Sequence, residues 1–194
     1  MTTKEKLLAL LEDSKGTFFS GEEIARTLQV SRAAVWKAVN ALREDGYTID
    51  AVTNKGYRLS PDSDILSPQG IRRFLKPEYR DLNLTVLPTV PSTNALVREK
   101  ANQGCPEGCV IIACEQTAGR GRYGRQFFSP ADTGVYLSLL LRPTAYSPQQ
   151  ATCLTAAAAA AMCQAIEAVT GQHPGIKWVN DIFLHGKKVC GILT

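Results

Sequence analysis

Between Gly119 and Arg125 the chain reads GRGRYGR, three glycines and three arginines in seven positions. Its surroundings constrain the fold more than any other feature. Upstream stands the apolar run "VIIACEQTA" (Val110–Ala118), and downstream "QFFSP" (Gln126–Pro130) and "GVYLSLLLR" (Gly134–Arg142) return the chain to apolar alternation. A cationic loop without side-chain bulk, enclosed by two strand-like runs, belongs to a sheet-containing domain. Two uses of such a loop compete: an arginine/glycine tail for nucleic acid, or a backbone that closes over a small anion. Disordered tails are not inserted between core strands. Glycines let backbone amides approach an anion, and arginines add charge-assisted bonds to phosphate oxygens. The loop reads as a phosphate cradle.

At 194 residues the chain suits one large domain, or a small one with a medium one. A hydrophobic content of 44% with 21% charged residues is that of a globular protein. The net charge of +4 is spread: residues 1–60 hold nine Lys/Arg against eight Asp/Glu, which leaves thirteen against ten for the rest. Charge alone therefore does not argue for nucleic acid, and local placement must. The six cysteines form no CxxC pair, and neither His173 nor His185 stands at a finger-like spacing, so reduced thiols of a cytoplasmic protein are expected and no metal-ligating set is assigned. "MTTKEKLLALLEDSKG" is charged and amphipathic rather than a signal peptide. "TAAAAAAMC" (Thr155–Cys163) is short and flanked by Gln and Glu, which predicts a packed helix and no membrane span.

The first sixty residues carry helix signals. Leu7, Leu8 and Leu11 make one apolar stripe. "SGEE" from Ser20 to Glu23 has the form of a capping box, so a helix starts there and runs to Leu28. Ser31 caps another, reaching about Arg43. Two short helices around a tight turn make a helix-turn-helix. On the second, Val35, Val39 and Leu42 face the core, while Arg32, Trp36, Lys37, Asn40 and Arg43 fall on the other side. That set suits phosphates and base edges, although a solvated amphipathic helix also shows a charged outer face. "YTIDAVTNKGYRL" then alternates around Thr53–Gly56, with Gly56 suited to positive φ. A basic-tipped hairpin directly after a helix-turn-helix is a wing, with Lys55 and Arg58 placed for the DNA backbone.

"SPDSD" (Ser60–Asp64) is a polar linker, followed by a short helix begun by Ser67 with Pro68 at its first position. Beyond it the pattern becomes α/β. Strands are predicted at Leu82–Leu87, Val110–Cys114 and Val135–Leu141, helices at Ser92–Asn102 and Pro148–Val169. A terminal hairpin, Ile182–Leu184 with Val189–Leu193, turns at His185-Gly186-Lys187. The domains expected are residues 1–60, a winged helix-turn-helix; 61–82, a linker and connecting helix; and 83–194, an α/β domain.

"STN" at Ser92–Asn94, "EQTAGRGRYGR" at Glu115–Arg125 and "KWVND" at Lys177–Asp181, in this order behind a winged helix, resemble the bifunctional biotin protein ligases that double as biotin-operon repressors. The resemblance covers almost the whole chain. It implies an α+β fold in which the winged helix precedes a mixed-sheet α/β domain of the biotin/lipoate protein ligase type, similar to class II aminoacyl-tRNA synthetases. It implies biotin, ATP and Mg²⁺ as ligands, biotinyl-5′-AMP as intermediate, and the biotin carboxyl carrier protein of acetyl-CoA carboxylase as acceptor. Operator DNA would be bound by a ligand-promoted homodimer.

Carried over residue by residue, Ser92, Thr93 and Asn94 match the biotin contacts, and Gln116 a ligand-binding position at a strand end. Without that resemblance Ser92 would read as an ordinary helix cap. Arg120, Gly121 and Arg122 match the triplet that closes over biotin and the adenylate phosphate. Lys177 matches the lysine that holds the biotin carboxylate against the α-phosphate, which makes Lys177 and Arg122 the catalytic pair. Arg32, Lys37, Asn40, Arg43 and Lys55 are the expected DNA contacts. Tyr123 stands where many relatives have arginine, and Val179 where many have proline. The last residues, "GILT", fall inside a strand after which the family's sheet continues and a small β-barrel follows, so an incomplete catalytic domain is expected. The alternative function is a biotin-sensing repressor whose shortened ligase domain turns over little or not at all. A lipoate or octanoate ligase is a third reading, opposed by the winged helix and GRGRYGR.

Overall fold

The structure, a computed structural model, describes residues 1–143 and 151–194. Contacts divide the chain into two compact units, Met1–Val86 and Leu87–Thr194.

The first unit is built by capped helices around one core. Helix α1 (Thr3–Asp13) opens with a full capping box: Thr2 Oγ1 accepts from Glu5 N at 3.2 Å, and Thr2 N donates to the Glu5 carboxylate at 2.8 Å. Helices α2 (Gly21–Leu28) and α3 (Arg32–Glu44) follow, capped by Ser20 and Ser31 as expected. Leu7, Leu11, Ile24, Val35, Val39, Leu42 and Leu59 close against one another. Each buried Leu, Ile or Val side chain contributes about 1.5–3 kcal/mol. Strands β1 (Ile49–Val52) and β2 (Gly56–Leu59) pair antiparallel, with Asp50 opposite Arg58 and Val52 opposite Gly56. Phe19 adds a third rung to this wing, exchanging two backbone bonds of 2.9 and 2.8 Å with Tyr57. Gly56 takes φ +95 there, and a β-carbon on it would stand 2.0 Å from the Phe19 carbonyl oxygen. Helix α4 (Pro68–Arg72) is capped by Ser67. Arg73 ties it to α1 by donating to the Glu12 carbonyl and approaching the buried Glu12 carboxylate at 3.7 Å.

The second unit begins within β3 (Asn83–Val90), which with β4 (Cys109–Gln116) and β5 (Tyr136–Leu139) forms a three-stranded sheet in that order. Helix α5 (Thr93–Asn102) packs on β4 and β5 through a small core of Val97, Cys109 and Ile111 with Leu87, Leu96 and Leu140. A second antiparallel sheet orders β6 (Gly175–Lys177), β7 (Asp181–Leu184) and β8 (Lys187–Gly191). Its hairpin pairs Leu184 with Lys187 across His185 (φ 50) and Gly186 (φ 75), the positive-φ pair of a two-residue turn. β6 lay outside the strands expected from sequence.

Helix α6 spans Ala151–Thr170, and the expected start at Pro148 lies outside the described residues. Its observed end, Thr170, falls one residue beyond the expected Val169. Over Cys153–Thr170 its mean hydropathy is 1.4, long and apolar enough to cross a membrane by length and composition only. Among its described side chains Thr155 and Ala159 are buried. Alanine explains the contrast: it extends the apolar run while offering little surface to bury.

Candidate functional site

The site begins where β3 hands over to α5. Ser92 is buried and caps the helix, accepting from Ala95 N at 3.4 Å. Thr93 is also buried, and both its backbone N–H and its hydroxyl donate to Gln116 Oε1, at 2.9 and 3.2 Å. Ser138 Oγ on β5 donates to Thr93 Oγ1 at 2.9 Å. The Gln116 amide nitrogen donates to Ser129 Oγ at 3.1 Å, and Ser129 in turn donates to the Phe127 carbonyl. The chain Ser138–Thr93–Gln116–Ser129 thus satisfies each buried polar group and fixes the orientation of the Gln116 amide. Ser129 and Ser138 escaped the sequence reading. For Ser138 a signal existed: in YLSL it sits on the opposite face from the exposed Leu137 and Leu139.

GRGRYGR rises from this floor as a closed loop. Thr117 N and Ala118 N donate to the carbonyls of Val90 and Pro91, and Phe127 N donates to the Gly119 carbonyl at 2.9 Å. Higher up, Arg120 and Gln126 form a bridge, and Gly121 N donates to the Arg125 carbonyl at 2.7 Å. The tip turns at Arg122–Gly124, with Tyr123 86% exposed. Between the loop and α5 lies an open cavity of about 790 Å³. Asn94, Arg120 and Gly121 line it, together with Arg98 and Arg125, which the sequence reading did not single out.

Arg122 turns elsewhere. Its Nη1 donates to Asn180 Oδ1 at 3.1 Å, and its guanidinium lies 5.2 Å from the Tyr123 ring centre. Asn180 passes the contact on, donating to Asp181 Oδ1 at 3.0 Å and to the Ile192 carbonyl at 3.2 Å. Asp181 also meets Lys188 at 2.7 Å. Lys177 ends β6 opposite Asp181, is exposed, and lies 5.4 Å from the Phe183 ring centre. The structure therefore joins Arg122 to the KWVND segment through Asn180, and does not place Lys177 in the cavity wall.

The described residues contain no cluster of three His, Cys, Asp or Glu side chains able to hold a metal ion. Asp181, the carboxylate of the KWVND segment, is paired with Lys188. None of the six cysteines is in a disulfide, and burial pushes the Cys109 and Cys190 thiols up, away from nucleophilic behaviour at neutral pH.

On the first unit Arg32, Lys37 and the 57% exposed Trp36 stand on the outer face of α3, with Asn40 half-buried among them. Arg43 is engaged within the fold: its Nε and Nη2 donate to the Ile49 carbonyl at 3.1 and 2.6 Å. At the wing, Arg58 pairs with Asp50 at 2.6 Å and stacks 4.6 Å from the Phe18 ring centre, while Lys55 lies 5.9 Å from that ring.

Residues 86–194 match the model of the biotin/lipoate A/B protein ligase family, and residues 3–58 match an HTH domain. Over 193 residues the chain is 43% identical to the bifunctional ligase/repressor BirA of Bacillus spizizenii, covering 100% of this chain and 59% of that protein. It is 34% identical over 193 residues to BirA of Escherichia coli, again with 100% of this chain and 58% of the relative covered. This chain thus spans about 59% of the length of the curated relatives it matches. Among solved structures, the biotin protein ligase of Leishmania major in complex with biotinyl-5-AMP aligns with a TM-score of 0.52 at 25% identity, over 57% of this chain and 51% of that one. With the family model matching more than half of its length behind an HTH domain, the chain belongs to the biotin/lipoate A/B protein ligase family.

Proposed function

We propose that this chain activates biotin with MgATP and passes it to a lysine of the biotin carboxyl carrier protein of acetyl-CoA carboxylase. Loaded with biotinyl-5′-AMP, it binds operator DNA as a homodimer and represses a biotin operon in the cytoplasm. In the first step the biotin carboxylate attacks the α-phosphorus and pyrophosphate leaves. In the second the acceptor amine attacks the biotinyl carbonyl and AMP leaves. The observation that carries this reading is the floor of Thr93, Gln116 and Ser129 held directly beneath a loop whose Arg120 and Gly121 line a nucleotide-sized cavity. Ser92, Thr93, Asn94 and Gln116 supply the amide and hydroxyl chemistry for a neutral ureido ring. Arg120 and Gly121 answer the phosphate, and magnesium arrives with the nucleotide as part of the substrate.

Lys177 and Arg122 are assigned the electrostatic work on the two anions that must meet. Lys177→Ala is expected to cut adenylate formation by more than about tenfold, since one lost charge at a reacting phosphate raises the barrier by more than about 1.4 kcal/mol. Biotin-dependent exchange of labelled pyrophosphate into ATP measures it, and full activity in the variant would remove Lys177 from the site. The same assay on the unaltered chain tests the ligase reading: no biotin-dependent exchange would reject it.

The position of Lys177 outside the cavity wall favours the second reading, a repressor of little catalytic activity. Mobility-shift titration on operator DNA separates the two. For DNA, Arg32, Lys37, Asn40 and Lys55 are the proposed contacts, with Arg43 and Arg58 holding helix and wing in place. Residues 1–60 have a net charge of +1, nine basic against eight acidic side chains, so two copies on a palindrome are needed for tight binding.

A further inference from the structure

Helix α5 does more than start at the site. Asn94, Arg98 and Asn102 recur every four residues, which stacks them on one face of the helix, and all three line the cavity opposite the glycine/arginine loop. Arg98, Arg120 and Arg125 therefore border one space. None of these three guanidiniums has a hydrogen-bond or ion-pair partner for its side chain among the described residues. Arg26 and Arg32 of the first unit are likewise without such a partner among the described residues, whereas Arg58 meets Asp50, Arg73 meets Glu12, and Arg142 donates to the carbonyls of Ala101 and Cys105. Glu99 is the acid in the lining, and its carboxylate already accepts from Gln103 at 3.1 Å. Three arginines against one glutamate leave the walls with a formal charge of +2 facing open solvent.

We infer that the outer face of α5 is the second wall of the phosphate site, and that Arg98 binds the pyrophosphate end of the nucleotide and the pyrophosphate that leaves. The inference rests on the ligase reading and deepens it. Three guanidiniums around one space repel each other until a polyanion enters, and a diphosphate has enough oxygens to take a fork from each wall at once. Arg98 stands one helical turn beyond Asn94, so the α5 wall offers an amide near the loop stem and a cation farther along. That order suits a ligand neutral at one end and anionic at the other.

The test is calorimetric titration of the full chain with inorganic pyrophosphate and Mg²⁺, comparing the unaltered protein with Arg98→Gln and Arg98→Lys. Glutamine keeps the helix propensity, so α5 should form in both variants. Arg98→Gln is expected to weaken pyrophosphate binding about tenfold at low salt, with a partial recovery in Arg98→Lys and a narrowing gap as salt rises. In the exchange assay Arg98→Gln should raise the KM for pyrophosphate more than that for biotin. Equal pyrophosphate affinity in Arg98→Gln and the unaltered chain, or no binding to either, overturns the inference. A rise confined to the KM for the carrier protein also overturns it, assigning Arg98 to acceptor docking. Exchange activity with unchanged pyrophosphate affinity in Arg98→Gln sinks this inference and leaves the ligase reading standing. Pyrophosphate binding through Arg98 without biotin-dependent exchange does the reverse.

Discussion

Replacing Gly119 with alanine is expected to lower biotin-dependent pyrophosphate exchange by about a hundredfold while leaving the chain folded. A β-carbon at Gly119 would stand 2.5 Å from the Phe127 carbonyl oxygen, 2.6 Å from Ser129 Oγ and 3.3 Å from the Gln116 amide nitrogen. The first of these is backbone, so no side-chain rotation relieves the contact. Either the stem bond from Phe127 N to the Gly119 carbonyl opens, or Ser129 moves and takes Gln116 and Thr93 with it. Displacing groups around a reacting centre by about 1 Å costs roughly a hundredfold in rate. The core of Val97, Cys109 and Ile111 is untouched, so the melting temperature should fall far less than the rate. Exchange kinetics beside a thermal melt decide the matter. Activity within about twofold of the parent would show that the loop stem does not set the site.

Gly56→Ala should act on the other unit, by about 3 kcal/mol of stability. Two causes add. Alanine at φ +95 adopts a conformation that L side chains rarely accept, at a cost of about 1–2 kcal/mol. Its β-carbon would also fall 2.0 Å from the Phe19 carbonyl and 2.6 Å from Ser20 Cα, breaking the paired Phe19–Tyr57 bonds and lifting the cap residue of α2. Urea unfolding followed by circular dichroism reads the loss, and operator affinity should fall with it because the wing loses its seat. A change below about 1 kcal/mol would mean that the hairpin slides past the clash.

What could be read from the residues was local. Ser20, Ser31, Ser67 and Ser92 each cap the helix they announced, since a cap needs only its next few neighbours. The wing was equally legible, because Gly56 and the alternation around it are contiguous. The misses were relations between distant segments. β6 is three residues long after Gly171–Pro174 and exists only through pairing with β7, so nothing in "GIK" marks it alone. Ser129 and Ser138 acquire their roles from Gln116 and Thr93, which lie on other elements. Arg43, expected as a DNA contact from its helical face, also donates to a carbonyl six residues on, across the turn into β1, and that bond has no mark in the sequence. Arg98 carries no mark in the sequence, because only the fold sets α5 opposite the loop.

The bond from Arg43 to the Ile49 carbonyl has a mechanical consequence. It fastens the end of α3 to the first residue of β1, and Arg58, clamped between Asp50 and Phe18, stiffens the far side of the same hairpin. Helix and wing would therefore reach a groove as one rigid probe, with the angle between them already set. The orientational freedom that a hinged pair surrenders on contact has been surrendered during folding instead. Tolerance for altered spacing between half-sites would then have to come from how two copies are held relative to each other, because neither probe can flex to make up the difference.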